Sequence, residues 1–277
     1  MKAILITSVL FLIFLTSSVF LLFLVTSCTK NNLTGKSQLA FIPEKEIQSL
    51  SADQYKLFIS KHEVLNPAKD ANAAMVQRVS NNISKAVERY FKSKNTPEVL
   101  NGYNWEYNLV RDSAINAWCM PGGKVVVYTG ILPVTKNENA LAVVLGHEVS
   151  HALLQHGNQR MSQSMIQQFG GVALSVALAN KPAQTQDVFL RAYGVGTEVG
   201  FALPFSRKHE LEADRFGLIW AVMAGYDPNE AIAFWERMEK IGSGQKPPEL
   251  LSTHPSDATR KQKIKEFLPE ALTYKGK

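Results

Sequence analysis

One pentapeptide has residue types and a spacing that could do chemistry. It reads His147-Glu148-Val149-Ser150-His151, an H-E-x-x-H pattern. On a helix, positions i and i+4 lie on one face, roughly 6 Å apart, so the two imidazoles can bind one metal ion. Zinc favours nitrogen ligands and, in a catalytic site, takes three protein ligands and keeps one position open for water. Glu148 could turn its carboxylate towards that position and act as a general base.

The third ligand is not supplied by the residues just after this motif. A metzincin arrangement would require glycine at position 154 and histidine at position 157, whereas the sequence has Leu154 and Gly157. His156 lies about 140° around an ideal helix from His151, so it is expected to be a surface or capping histidine.

A second polar cluster offers that ligand. It spans residues 206–214 with the sequence S-R-K-H-E-L-E-A-D, and it places Glu210 and Asp214 four residues apart. On a helix, one carboxylate could bind zinc while the other accepts a hydrogen bond from a ligand histidine, which fixes the tautomer of that ring. A lone E-x-x-x-D pattern is more often a solvated charged face. The H-E-x-x-H motif and the flanking apolar residues favour the metal interpretation here.

The elements that must position these residues are mainly helices. Three- and four-residue apolar spacing predicts helices over residues 44–65 and from residue 70 to about residue 91. The T-x-x-E sequence of residues 135–138 predicts a capping box for the H-E-x-x-H helix, with Gly157 as its stop. Another helix is expected from about Ser206 to Gly225.

A small sheet precedes the H-E-x-x-H helix. Alternating and β-branched residues predict strands over residues 105–109, 114–118 and 124–128, with the Pro121-Gly122-Gly123 turn between the last two. We therefore expect one α+β, helix-dominated domain over residues 44–277.

The N-terminal segment is interpreted as a targeting sequence. Lys2 is the only charge before an apolar run from Ala3 to Val25, and the run ends at Cys28 after small residues. This resembles a bacterial lipobox, so residues 1–27 would be a lipoprotein signal peptide and residues 28–43 an acylated cysteine and tether. A single-span membrane anchor remains the alternative, because the run could cross a bilayer. Thr29, where an Asp would favour inner-membrane retention, favours the outer membrane.

Composition excludes several classes of protein. The whole chain has 277 residues and a formal net charge of +6, a modest excess that does not indicate a nucleic-acid partner. Two cysteines exclude a disulfide scaffold, and Cys119 is expected to be a small buried apolar residue.

Together the motifs resemble metallopeptidase family 48, the gluzincins that include HtpX and the CAAX prenyl protease. The resemblance rests on H-E-x-x-H, the S-R-x-x-E-x-E-A-D pattern 59 residues later, I-N-A-W-C-M-P-G-G at residues 115–123 and T-H-P at residues 253–255. It implies a zincin-like domain with one Zn2+ per chain. By resemblance, His147, His151 and Glu210 would be zinc ligands, Glu148 the catalytic base, and Asp214 the partner of a ligand histidine.

The same resemblance suggests roles for two further segments. Asn116 and Ala117 resemble the edge strand that borders the active-site cleft and pairs with the substrate backbone, although an ordinary half-buried strand would also fit these residues. His254 resembles a histidine that polarises the scissile carbonyl or caps the zinc in a resting state. Arg260 is expected to be a structural ion-pair partner.

The sequence is most similar to the single-domain periplasmic lipoprotein members of this family. The resemblance therefore implies a zinc endopeptidase that cleaves unfolded or mis-assembled cell-envelope proteins and is held on the membrane by a lipid anchor. The rival function is a non-proteolytic chaperone or outer-membrane assembly factor that uses the same cleft. The sequence indicates neither the cleavage-site preference nor the oligomeric state.

Overall fold

The computed structural model describes residues 28–169, 183–195, 206–242, 248–255 and 258–277. The predicted signal peptide, residues 1–27, lies outside these residues. Among the residues described, no helix combines the length and the apolar character needed to cross a membrane.

Helices form most of the described structure, which confirms the helix-dominated α+β class. Two short 3₁₀ turns cover Pro97–Leu100 and Thr129–Ile131. The first five α-helices of the described residues are α1 (Glu44–Lys61), α2 (Ala71–Ser93), α3 (Leu132–Thr135), α4 (Glu138–Leu153) and α5 (His156–Phe169). The later helices are α6 (Ala183–Ala192), α7 (Arg207–Met223), α8 (Glu230–Gly242), α9 (Glu249–Thr253) and α10 (Ala258–Leu272).

A two-stranded hairpin occupies the segment predicted to be a tether. Strand β1 (Cys28–Lys30) pairs antiparallel with β2 (Ser37–Leu39). The Asn31 side chain closes the turn, because its Oδ1 accepts hydrogen bonds from the backbone N–H groups of Leu33 and Thr34. The hairpin is attached to the rest of the domain, since Gln38 Nε2 donates to Gln155 Oε1 at 2.6 Å.

The small sheet has three strands in the order β3-β5-β4. They are β3 (Glu106–Val110), β4 (Ala117–Met120) and β5 (Lys124–Tyr128); β5 is parallel to β3 and antiparallel to β4. The turn between β4 and β5 needs glycine, because Gly122 and Gly123 have φ values of +79° and +80°. Strand β4 begins later than its expected start at residue 114, where the Asp112 side chain accepts from Ala114 N and closes a turn.

Both faces of the sheet are buried. In β5, Val125 and Val127 belong to the cluster that packs α2, α4 and α7, whereas Val126 and Tyr128 belong to the cluster that packs α1, α5 and α6. Cys119 of β4 lies in the first cluster and is 5 % exposed, as expected for an apolar core residue. Burial raises the pKa of its thiol well above the usual range.

The ends of α4 differ from the expected ones. Its N-cap is Asn137, whose side chain accepts from Ala140 N, because Lys136 adopts φ +64° and separates Thr135 from the helix. The Thr135 hydroxyl instead donates to Leu132 O at the end of α3. The helix ends at Leu153, and the predicted stop, Gly157, lies within α5.

Candidate metal centre

The two motif-bearing helices cross at a pair of glycines. Helix α4 carries H-E-x-x-H, α7 carries Glu210 and Asp214, and the two backbones come so close that a Cβ on Gly146 would lie 2.5 Å from Gly217 O. A Cβ on Gly217 would lie 2.7 Å from the backbone nitrogen of His147. This close approach brings His151 Nε2 to 3.4 Å from Glu210 Oε1, although the two residues are 59 positions apart in the sequence.

Four side chains converge beside this crossing. One ligand atom each from His147, His151, Glu210 and His254 lies within 4.8 Å of the others, and all four residues are buried. His147 Nε2 is 3.0 Å from His151 Nε2 and 3.5 Å from Glu210 Oε2, and His151 Nε2 is 3.4 Å from Glu210 Oε1. Atoms that bind one zinc tetrahedrally at about 2.0–2.2 Å are roughly 3.3–3.6 Å apart. The donor types suit this metal and the two histidine–Glu210 distances match this spacing, whereas the two imidazole nitrogens lie slightly closer together.

The electrostatics of the cluster also favour a cation. Burial lowers the pKa of His147, but the carboxylates of Asp214 and Glu210 outweigh that effect and raise it to about 9. Burial raises the pKa of Glu210, but Arg260 and His254 outweigh that effect and hold it well below its usual range. The site therefore stabilises a positive charge beside an ionised carboxylate, which is the environment that a divalent metal ion requires.

Asp214 and Arg260 hold the His147 side of the cluster. Asp214 Oδ1 lies 2.9 Å from His147 Nδ1, whereas His147 Nε2 faces the other side chains of the cluster. Arg260 donates two hydrogen bonds to Asp214, of 2.7 and 2.8 Å, and its Nη1 lies 2.7 Å from Glu210 Oε2. The Arg260 guanidinium also lies 3.9 Å from the centroid of the Trp235 ring. The predicted ion-pair role of Arg260 is therefore confirmed.

Glu148 is buried next to the cluster. Its Oε1 has no hydrogen-bond partner among the described residues and lies 3.7 Å from His254 Nε2. Burial raises the pKa of Glu148 above that of an ordinary glutamate, and His254 and His147 lower it only in part. A buried carboxylate with a raised pKa and an oxygen that makes no hydrogen bond is suited to accept and return a proton.

His254 lies in the cluster itself. Its Nδ1 is 3.1 Å from Glu210 Oε1 and 3.2 Å from His147 Nε2. His254 therefore offers the cluster a fourth donor atom, and both roles expected for it stay predictions. The backbone N–H of His254 donates to Leu250 O, so the short helix α9 fixes its position.

Asn116 and Ala117 lie at the start of β4, an edge strand of the three-stranded sheet among the described residues. Both are 1 % exposed. Asn116 Oδ1 accepts from Ala117 N at 2.9 Å, and Asn116 Nδ2 donates to Gly194 O at 3.4 Å. Strand β4 packs against α4, so this edge runs beside the helix that carries the H-E-x-x-H motif.

The expectation for His156 was wrong. It is 0 % exposed, and its Nδ1 lies 3.0 Å from Nδ1 of His151. The helix that justified the 140° rotation ends at Leu153, and Gln155 adopts φ +57°, so the chain changes direction before His156. His209, for which no role was predicted, stacks on His156 with ring centroids 4.2 Å apart. Gln155, the polar residue between the two helices, was a signal in the sequence for such a break.

Comparison with known proteins agrees with this geometry. Residues 77–268 match the model of the family described as Peptidase family M48. The chain is 41 % identical over 168 residues to the mitochondrial metalloendopeptidase OMA1 of Schizosaccharomyces pombe. The aligned segment covers 60 % of this chain and 48 % of the relative.

Two further relatives extend the similarity. The human mitochondrial metalloendopeptidase OMA1 is 31 % identical over 247 residues, 87 % of this chain and 46 % of the relative. The Escherichia coli beta-barrel assembly-enhancing protease is 28 % identical over 193 residues, 68 % of this chain and 38 % of the relative. The chain thus spans half or less of the length of these three relatives.

Proposed function

The chain belongs to peptidase family M48, and on that basis we propose that it is a zinc-dependent endopeptidase of unfolded or mis-assembled cell-envelope proteins. The observation that carries the proposal is the convergence of buried His147, His151 and Glu210 from the crossing helices α4 and α7. Glu148, which directly follows the first histidine, supplies the base that peptide hydrolysis needs.

In this proposal His147, His151 and Glu210 hold one zinc ion. When bound, zinc acts as a Lewis acid that acidifies water and polarises the carbonyl of a peptide bond. Asp214 accepts the Nδ1 proton of His147 and so leaves Nε2 free to bind the metal, and Arg260 keeps the Asp214 carboxylate ionised and in place.

Glu148 carries the proton. Its unpaired Oε1 takes a proton from the attacking water and returns it to the nitrogen of the leaving amine, so that the carboxylate is regenerated after each cleavage. Burial, which raises the pKa of Glu148, makes it a stronger base than an exposed glutamate.

Substrate backbone would add to the edge of β4 beside Asn116 and Ala117. Such pairing uses main-chain hydrogen bonds and therefore accepts many sequences, as a protease of unfolded proteins requires. His254 would cap the metal at rest and, once displaced, would donate to the oxygen of the scissile carbonyl as negative charge develops there.

The proposed location is the bacterial cell envelope. The Escherichia coli relative is named for enhancing β-barrel assembly, which supports an envelope role, whereas the OMA1 relatives are mitochondrial. The apolar segment that ends at Cys28 supports lipidation of that cysteine, with outer-membrane attachment facing the periplasm and a single-span anchor as the alternative.

The test is the substitution Glu148→Gln, assayed on unfolded casein with zinc content measured in parallel. We expect the variant to bind one zinc ion per chain. Its rate of casein cleavage should fall at least about 100-fold, because the amide cannot accept the proton. Glu266→Gln, a matched change at an exposed residue of α10, should cleave as wild type does.

Two results would overturn the mechanism or the function. Casein cleavage by Glu148→Gln at the wild-type rate would exclude Glu148 as the base. Full rescue of a deletion strain by the same inactive variant would favour the chaperone or assembly-factor function.

A further inference from the structure

The two histidines of the H-E-x-x-H motif differ in what faces their outer ring nitrogen. His147 Nδ1 faces a carboxylate, that of Asp214. His151 Nδ1 faces another imidazole, and His156 Nδ1 is only 3.0 Å away. The two rings are inclined by 71°, with centroids 5.0 Å apart, so this is an edge contact between nitrogens and not a ring stack.

This contact fixes where the protons are. Two ring nitrogens 3.0 Å apart share one proton, so one of them donates and the other accepts. His151 Nε2 faces His147 and Glu210, and it is therefore the nitrogen that would bind a metal. A neutral ligand histidine that binds through Nε2 carries its proton on Nδ1. His156 Nδ1 must then be the acceptor.

The surroundings of His156 favour the tautomer that this role requires. If Nδ1 accepts, the His156 proton sits on Nε2, and Glu212 Oε2 lies 3.5 Å from that atom. A carboxylate at this distance stabilises a proton on Nε2 rather than on Nδ1. The ring of His209 stacks on that of His156 with an angle of 17° between the two planes. This stacking restricts rotation of the His156 ring.

We propose that His156 is a positioning residue of the metal centre: it accepts the Nδ1 proton of His151 and so fixes the tautomer and the ring orientation of that ligand. The inference rests on the proposed function, in that His151 is taken to be a zinc ligand. His156 would then be to His151 what Asp214 is to His147, the acceptor of the Nδ1 proton. Residues that orient ligand histidines in this way typically change metal affinity by 10–100-fold when removed.

Two substitutions separate this role from simple packing. His156→Phe keeps a ring that can stack on His209 but removes the acceptor. His156→Asn removes the ring but places Oδ1 close to the position of the histidine Nδ1, so the acceptor is retained. His62→Phe is the matched control, because His62 stacks on Phe58 in α1 and takes no part in the cluster.

The measurement is the zinc dissociation constant of the full chain, by competition with a chromophoric chelator at fixed pH. We expect His156→Phe to bind zinc roughly 10–100-fold more weakly, and His156→Asn to remain within about threefold of wild type. The Co2+-substituted proteins give a second readout, since the visible absorption bands should shift in His156→Phe and stay in place in His156→Asn.

Several outcomes would overturn the inference. Wild-type affinity in His156→Phe would exclude the acceptor role, and so would an equal loss in both variants. If His156→Phe fails to fold in urea titrations, a tenfold loss in a folded His156→Asn protein still refutes the proposal. Zinc affinity is measured without a substrate, so the proposed peptidase activity can fail in the casein assay while the order of affinities holds.

Discussion

The two sides of the buried cluster are built differently although each holds one of the two proposed zinc-ligand histidines. On the His147 side, the partner is Asp214, which Arg260 holds with two hydrogen bonds inside the core. On the His151 side, the partner is His156, and it is followed by Glu212, whose side chain is 18 % exposed. We call these the carboxylate side and the imidazole side.

The difference lies in charge and in depth. The carboxylate side depends on buried opposite charges, which are expensive to separate because the surviving charge has no water to stabilise it. The imidazole side depends on a neutral ring and ends at the protein surface, where Lys36 of the N-terminal hairpin contacts Glu212. Damage to the carboxylate side should therefore affect folding as well as metal binding, whereas damage to the imidazole side should mainly affect metal binding.

The largest expected effect comes from Arg260→Met. Arg260 is 2 % exposed and contacts both Asp214 and Glu210, so its removal leaves two buried carboxylates without their cation. We expect the free energy of unfolding to fall by about 3–5 kcal/mol. Urea denaturation in the presence of a chelator measures this loss without a contribution from bound metal.

The matched control is Arg215→Met. Arg215 also makes two hydrogen bonds to one carboxylate, that of Glu270, but its side chain is 46 % exposed. This change should cost about 1 kcal/mol or less, because water screens the pair. Equal losses in the two variants would show that burial of the charge does not distinguish the carboxylate side.

A smaller effect is expected from removing one charge on each side of the cluster. Asp214→Asn should weaken zinc binding about 10–100-fold, because the uncharged amide is a poorer acceptor for the Nδ1 proton of His147. Glu212→Gln should weaken it by less than about tenfold, because Glu212 acts on His151 only through His156. Chelator competition gives both constants, and the reverse order would contradict the asymmetry of the two sides.

Much of the carboxylate side, and the pairing of the two motif histidines, was predictable from sequence because the information is local. His147 and His151, like Glu210 and Asp214, are four residues apart on single helices, and that spacing alone places each pair on one face. The crossing of the two helices was not predictable. It depends on Gly146 and Gly217, which the sequence offers among 17 glycines without indicating which two meet.

The imidazole side could not be predicted because it depends on where a helix stops. An ideal helix extended past Leu153 would place His156 away from His151. In the structure the helix ends there, and the left-handed backbone of Gln155 changes the chain direction so that His156 lies beside His151. The hairpin was missed for a related reason. Its strands have three residues each, too short for an alternating pattern, and its attachment depends on contacts such as Gln38 to Gln155 that connect distant segments.

The smallest expected effect tests the outer end of the imidazole side. Lys36 Nζ lies 3.0 Å from Glu212 Oε1, but the lysine side chain is 61 % exposed. Lys36→Met should therefore cost only about 0.2–1 kcal/mol of unfolding free energy at low salt. In about 1 M salt the Debye length falls to about 3 Å, and the difference from wild type should disappear. Lys45→Met, an exposed control in α1, should show no such salt dependence. A loss that persists in high salt would mean that Lys36 holds the hairpin by packing of its aliphatic chain, and the imidazole side would then extend to the protein surface through apolar contacts and not through charge.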